Sequence, residues 1–477
     1  MERQIIRELK KLLGSDAVLS SPEDMLMYMY DGSVDEAKPD CAVFPRTTAE
    51  VAGIVKLAVR HGVPIVGRGA GTGLSGGALA VKGGVIVVFS RMNRILEIDA
   101  ENLRAVVQPG VVNMDVTRAV ENLGLYYAPD PSSQKSCTIG GNVSENAGGP
   151  HTLAYGVTTN HVTGLELVMM NGEVVRVGGK TCESPGYDLT GLMVGSEGTL
   201  AIVTEISLRL SRKPEAVKTL LAVYNAIEDA PETVADITGR AITPAACEML
   251  DGWTLRAVEA FVHAGFPLDS GAVLLIEVEG LTEAVEGQAA LIAEICKAHN
   301  AREVRVARDA AERDLLWKGR KNAFGAVGRL SPSYYVQDAV IPRTKLPETL
   351  RRIEEIGRKY KFQIGNIFHA GDGNLHPIIL FDQRDPEQFK RAVEASGEIM
   401  RHCLESGGAL TGEHGIGMEK NELMPLMFSD ADLDLMQRIR TAFNPDGMLN
   451  PNKLLPIGKG CKEVRIPPQG VATYPTL

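Results

Sequence analysis

The chain lacks a Cys-x-x-Cys pair anywhere, and its seven cysteines (Cys41, Cys137, Cys182, Cys247, Cys296, Cys403 and Cys461) are scattered and odd in number. That excludes the usual cysteine-rich iron–sulfur and zinc-ribbon patterns and argues against a disulfide framework. No apolar run approaches the ~18 residues that a membrane-spanning helix needs. Positive charge is not in surplus either: 50 Lys and Arg against 60 Asp and Glu leave a net −10. A nucleic-acid partner, which needs clustered basic residues, is therefore not expected. The start, MERQIIRELKKLLG, is charged throughout, with Ile5, Ile6, Leu9, Leu12 and Leu13 at helical spacing. It reads as an amphipathic helix rather than a signal peptide, and the cytoplasm is the expected compartment. With 477 residues, two or three structural units are expected.

Glycine is what the chain has in excess, 50 of 477 residues, gathered in a few dense clusters that point to backbone-lined sites. Around them the punctuation is clear. Thr47-Thr48-Ala49-Glu50 is a capping box, Val51, Ile54, Val55 and Ala58 form an apolar stripe, and Gly62 stops the helix. Strands VPIVG and VIVVF flank the stretch GRGAGTGLSGGALAVKGG, and Asn171-Gly172 between two apolar runs signals a hairpin. Lys213-Pro214 marks a composition shift. Beyond it, strands LLAVYN and AVLLIEVEG alternate with helical patterns over 281–298, 309–328, 345–360 and 386–406. This βαβ-like alternation predicts a second, α/β unit of about 200 residues. One more helix follows Asp430, and then a turn-rich tail, FNPDGMLNPNKLLP.

Gly71-Thr72-Gly73-Leu74-Ser75-Gly76 satisfies the dinucleotide pattern G-x-G-x-x-G, but loop and strand follow it where a helix is required. The dinucleotide reading is rejected. The physical content remains: glycines at 67, 69, 71, 73, 76 and 77 permit repeated positive φ and N–H groups turned toward one anion, with Arg68 adding charge. Asp130-Pro131-Ser132-Ser133 and the run Thr138–Gly149 (TIGGNVSENAGG) carry small hydrogen-bonding residues suited to a wall against a flat ligand. Gly195-Ser196-Glu197-Gly198-Thr199-Leu200 is a third such cluster.

The sharpest signal is IGNIFHAGDGNLHPIIL. Asp372-Gly373 predicts a two-residue turn with positive φ at both positions, which would set His369 directly opposite His376 on one face. Two imidazoles so held can chelate a divalent ion; the plainer reading is a stacked or surface pair. Glu413 and His414, in LTGEHGIG, are adjacent, and on an extended segment their side chains diverge. Glu413 then serves as third ligand while His414 faces a substrate; the alternative is a salt-bridged Glu413 beside a buried His414. Two His and one carboxylate leave coordination positions open and suit Zn²⁺, Fe²⁺ or Mn²⁺.

In order, FPRTTAEVAGIVKLA, GRGAGTGLSGG, TIGGNVSENAGG and GSEGTLAIVTE resemble the FAD-binding domain of the vanillyl-alcohol oxidase flavoprotein superfamily. HAGDGNLH, TGEHGIG and the closing N-P-x-G-x-L-N-P resemble its FAD-linked D-2-hydroxy acid dehydrogenases, above all the group of D-lactate dehydrogenases and the glycolate oxidase catalytic flavoprotein subunit. The resemblance implies an α+β fold: a two-subdomain FAD-binding domain over 1–212, an α/β substrate (cap) domain over 213–425, and a C-terminal segment over 426–477 returning to the first. It implies FAD bound at Arg68, Gly69, Gly71, Thr72, Gly73, Pro109, Ser132, Thr138, Gly141, Asn142, Gly148, Gly149, Glu197, Gly198, Ile202 and Asn450. The R-x-G-G-H pattern of covalent members is missing, so the FAD is expected to be non-covalent. It implies a divalent metal on His369, His376 and Glu413, His414 as general base and Arg320 on the substrate carboxylate.

The implied reaction is hydride transfer from a small D-2-hydroxy acid (D-lactate or glycolate) to the flavin. The segments after Arg320 lack the Thr and Lys that hold a distal carboxylate in the hydroxyglutarate enzymes, which counts against a dicarboxylate. Electrons then pass to a partner: an iron–sulfur protein, an electron-transfer flavoprotein or a quinone-linked complex, with peripheral membrane association through it. A homodimer is the further expectation. The rival readings are a non-catalytic FAD electron-relay subunit and a non-redox enzyme resembling alkyl-glycerone-phosphate synthase, whose His-His-His run this chain lacks. Asn452 stands where the closing motif usually has Gly.

Overall fold

A computed structural model describes residues 3–181 and 186–457. Local signals account for many of its elements. Ile5, Leu9 and Leu13 are buried along the helix Arg3–Leu13, while Leu12 stays exposed. Thr47 caps the helix Thr48–His61, its hydroxyl accepting the Glu50 N–H at 3.2 Å. Glu50 does not close the box on Thr47; its carboxylate accepts the Arg46 N–H, one residue earlier. Gly62 ends the helix at φ +61°.

The chain forms two compact units. The first comprises residues 1–147, 157–212 and 413–477, and the second residues 148–156 and 213–412. Re-entry into the first unit thus comes at Glu413, ahead of the return expected at 426, and the short stretch Gly148–Gly156 belongs to the second.

Among the described residues, the first unit has two larger sheets and a small two-stranded one that pairs Leu125–Tyr126 with Ser211–Arg212. One of the larger sheets runs Val18–Leu19, Cys41–Val43, Val85–Val88, Ile65–Arg68, with Val85–Val88 parallel to both Cys41–Val43 and Ile65–Arg68. The other is antiparallel, in the order Ile95–Asp99, Arg104–Val107, Ile202–Arg209, Val162–Val168, Val174–Gly178. Its last two strands form the hairpin that Asn171-Gly172 signals, with Gly172 at φ +75°. Val168, Met170 and Ile202 pack into the core of the four-stranded sheet and join the two subdomains.

In the second unit, strands Ala216–Tyr224 and Ala272–Gly280 and helices Thr282–Ala298, Leu346–Tyr360 and Pro386–Glu405 fall where the pattern puts them. The expected 309–328 helix is two pieces, Ala310–Lys321 and Ala323–Val327. Strand pairing is antiparallel throughout this unit's nine-stranded sheet, so its helices are not parallel crossovers. Alternation of strands and helices along a chain does not by itself fix strand direction, and the molecule as a whole is α+β. Five cysteines are buried free thiols, and Cys182 and Cys461 lie outside the described residues. Among the described residues, no helix is long and apolar enough to cross a membrane.

Candidate active site

In the first unit the chain after Ile65–Arg68 continues as loop to Val85, with no helix in the glycine stretch. Of the glycines at 67, 69, 71, 73, 76 and 77, Gly71 and Gly76 have positive φ, +70° and +75°, so left-handed residues recur there less often than the pattern permits. What the others supply is closeness. A Cβ on Gly69 would lie 2.2 Å from Thr138 Oγ1, and one on Gly77 would lie 2.5 Å from Glu145 Oε1. The glycine loop is thus pressed onto the second motif. Thr138 caps the short helix Ile139–Glu145, its hydroxyl accepting the Gly141 N–H at 3.3 Å, and Gly140 sits so close to Pro109 that a Cβ would be 2.6 Å from that ring.

The third motif joins them through the C-terminal segment. Asn450 Nδ2 donates to the carbonyls of Gly77 at 3.0 Å and Glu197 at 2.7 Å. Glu197 and Gly198 are left-handed (φ +52° and +65°), as is Asn452 (φ +61°). Asn tolerates that region better than other residues with a side chain, so Asn452 keeps the shape that Gly usually gives. The structure places the other expected cofactor residues as follows. Asn142 spends its side chain on Asn113 Nδ2 (3.0 Å) and Cys137 Sγ (3.4 Å), Ile202 is a core side chain, and Ser132 lies exposed in a turn. Gly148 and Gly149 belong to the second unit.

This wall fits a cofactor that carries both anionic and N–H-bearing parts. Arg68 is buried, and its Nη2 donates to the Tyr30 carbonyl at 2.8 Å, while Nη1 meets no hydrogen-bond partner among the described residues. Burial pushes its pKa down, against the pull of Asp31. Asn450 Oδ1 is likewise a buried acceptor without a donor. Unmet buried polar atoms are costly unless a ligand meets them.

Charged residues of these same motifs lie alongside. Glu197 accepts the N–H groups of Ile416 (2.7 Å) and Gly417 (2.8 Å) and so holds the loop that follows His414. Burial, then repulsion from Glu197 and Asp31, raises Glu145 well above the usual carboxyl range. Lys453, donating to the Leu79 carbonyl at 2.8 Å, is pushed down by burial to about 8.

In the second unit the histidine hairpin forms with a different register from the one expected. His369 pairs with Asn374, and Asn366 with Pro377, so four residues, 370–373, make the turn instead of two. Gly373 has φ +79°, but Asp372 is not left-handed; its carboxylate accepts the Asn374 N–H at 3.1 Å. Gly371 is drawn away to the Cys247 carbonyl at 3.0 Å. The slip is two residues, which preserves the face, because side chains alternate with period two. The rings of His369 and His376 accordingly still meet, centroids 5.2 Å apart and nearly perpendicular.

Both ring tautomers are set by buried acceptors. His369 Nδ1 lies 2.8 and 3.0 Å from the two carboxylate oxygens of Glu248, and His376 Nδ1 lies 3.2 Å from the Gln337 carbonyl. An acceptor at Nδ1 puts the proton there and the lone pair on Nε2, the arrangement that metal-bound histidines use. The donor set fits a divalent ion.

Arg320, on the helix Ala310–Lys321, is fully buried, its Nη2 2.6 Å from the equally buried Glu248. Its Nε and Nη1 have no hydrogen-bond partner among the described residues. Asp338, 4.0 Å from His376 Nδ1, holds the Thr411 hydroxyl at 2.5 Å and the Gly412 N–H at 3.0 Å. It thereby anchors the backbone that leads directly into Glu413. That segment is a chain of bends, not the expected extended strand, and Glu413 and His414 do not simply diverge: Oε1 and Nε2 are 3.9 Å apart. Sequence reasoning missed Glu248 and Asp338; the available signal was a carboxylate amid each of two largely apolar runs, ACEMLD and YYVQDAVIP.

These features define an FAD-dependent oxidoreductase. The chain belongs to the FAD-linked oxidase family: residues 39–178 match the FAD binding domain and residues 213–454 the FAD linked oxidases, C-terminal domain. It is 43% identical over 460 residues to the glycolate oxidase subunit GlcD of Escherichia coli K12 (96% of this chain, 92% of that one). It is 33% identical to a D-lactate dehydrogenase of Anaerostipes hadrus (88% and 90%). Its fold matches p-cresol methylhydroxylase (TM-score 0.80, 19% identity, 94% and 96% covered) and alkyldihydroxyacetonephosphate synthase (0.76, 18%, 95% and 86%).

Proposed function

We propose that the protein oxidises a small D-2-hydroxy acid, D-lactate or glycolate, to the 2-oxo acid, assisted by a divalent metal. The relatives named for glycolate and D-lactate support the substrate class. The observation that carries the reading is the buried Arg320 guanidinium with two unmet nitrogens, sharing Glu248 with the Nδ1 of His369. A carboxylate substrate supplies what the guanidinium lacks, two acceptors in one plane. Non-covalent FAD, held by the 68–73 loop, the 138–141 turn and Asn450, supplies the hydride acceptor. A divalent ion, which His369 and His376 would hold, would supply a Lewis acid that makes the hydroxyl more acidic.

In this reading Arg320 orients the acid by its carboxylate, and His414 takes the hydroxyl proton as general base. Assistance of that kind is typically worth about 10²–10⁴-fold. The reducing equivalents leave through a partner protein or quinone-linked complex in the cytoplasm, in keeping with a relative that is itself called a subunit. The test is anaerobic bleaching of the flavin absorbance by D- and L-2-hydroxy acids, with and without chelator. His414→Asn is expected to slow bleaching by about 10²–10⁴-fold with FAD retained. Near-normal bleaching in that variant sinks the base assignment, and bleaching by no D-2-hydroxy acid sinks the function.

A further inference from the structure

Glu248 is a fully buried carboxylate of the second unit to which no sequence motif points. It lies within the strand Ala246–Asp251, between Cys247 and Met249, with no exposed surface. The antiparallel register sets it directly opposite His369, so the two side chains share one face of the sheet. One oxygen lies 2.6 Å from Arg320 Nη2, and both lie within 3.0 Å of His369 Nδ1. A single carboxylate therefore touches both the group offered to a substrate carboxylate and a ring offered to a metal.

Burying such a pair is not a cheap route to stability. Well-packed apolar residues of similar volume often do as well or better. The arrangement does offer control of geometry. A carboxylate on Nδ1–H fixes the ring's tautomer and rotation and raises the basicity of Nε2. The same carboxylate, held by Arg320, restrains a long side chain that otherwise has several rotamers.

We propose that Glu248 is a positioning residue that orients the metal-binding nitrogen of His369 and the guanidinium of Arg320 together. The proposal rests on the metal reading given above. It predicts that metal affinity depends on a residue that does not itself bind the ion, and that the dependence is already present without substrate.

The test is equilibrium dialysis of Zn²⁺ and Mn²⁺ against the chelator-stripped, FAD-containing protein, with flavin content and circular dichroism as controls for folding. The wild-type chain is expected to bind one ion. Glu248→Gln is expected to bind it about 10–100-fold more weakly, the usual cost of losing a carboxylate behind a metal-bound histidine. Glu248→Asp, which keeps the charge, is expected to recover part of that loss, a rescue that a purely structural role does not require. Should Glu248→Gln fail to fold, the double variant Glu248→Gln/Arg320→Met leaves no buried guanidinium unpaired and must show the same weakening. Failure of the wild-type protein to bind an ion overturns the metal reading and this proposal together. Wild-type binding with undiminished affinity in the Gln variants overturns the proposal alone.

Discussion

The two units bury their polar chemistry in opposite ways. In the first, the ligand wall is mostly backbone: Gly69 against Thr138, Gly77 against Glu145, Gly140 against Pro109, each at a separation that a Cβ would spoil. In the second, the wall is side chain on side chain, with Arg320, Glu248 and His369 joined in one run of ion pair and hydrogen bond. The difference teaches where each unit is fragile. A backbone wall is damaged by adding an atom, and a charge network by removing one partner from it.

Arg320→Met is the most severe way to break this comparison. It leaves the Glu248 carboxylate buried against His369 without its cation, and breaking such a pair typically costs about 3–5 kcal/mol. Stability measured by chemical denaturation should fall by that order, and adding Glu248→Gln should recover most of it. If Arg320→Met unfolds at the same denaturant concentration as wild type, the second unit is not held by its charges in this way.

A second prediction concerns a buried titratable group of the first unit. His161, in the first unit, is buried edge-on to Tyr127, and burial followed by the nearby Arg209 charge pushes its pKa down to about 4 from 6.5. Its folded pKa is lower than its unfolded one, so between pH 6.5 and 4 the unfolded chain binds the extra proton. Stability is therefore complete above pH 6.5 and is lost as the pH falls through that window, by up to about 3 kcal/mol at 1.36 kcal/mol per pKa unit. His161→Phe should remove this part of the acid sensitivity. Parallel stability–pH curves for variant and wild type between those limits would contradict it.

Much of this contrast is legible in the sequence, and the gaps have physical causes. Capping and stop signals place the helix Thr48–His61, and four spaced motifs identify the FAD-binding unit, because both are encoded in short local runs. The His369–His376 face was readable because strand parity survives a slip of two. The register was not, since Asp372-Gly373 alone cannot show that Asp372 bonds to Asn374 and Gly371 to Cys247. Antiparallel pairing in the second unit was hidden for a similar reason: alternation gives the order of elements, not strand direction. Glu248 was invisible as a site residue because its partners, Arg320 and His369, are brought to it by the sheet and not by any motif.

Gly69→Ala is the gentlest change and the sharpest probe of the backbone wall. The added carbon would start 2.2 Å from Thr138 Oγ1, far inside van der Waals contact. Gly69 does not have positive φ, so the backbone itself tolerates alanine and the whole effect is steric. Relief requires the 68–73 loop to retreat or Thr138 to rotate away from its cap on the Gly141 N–H. Overpacking of this kind costs about 1–3 kcal/mol, so FAD should bind roughly 5–150-fold more weakly. Binding of the proposed metal at the second-unit histidines should change far less. Fluorescence titration of the apoprotein with FAD, run beside the metal dialysis, separates the two. An alanine variant with full FAD affinity would mean that the glycine at 69 serves the loop's flexibility and not its close approach to Thr138.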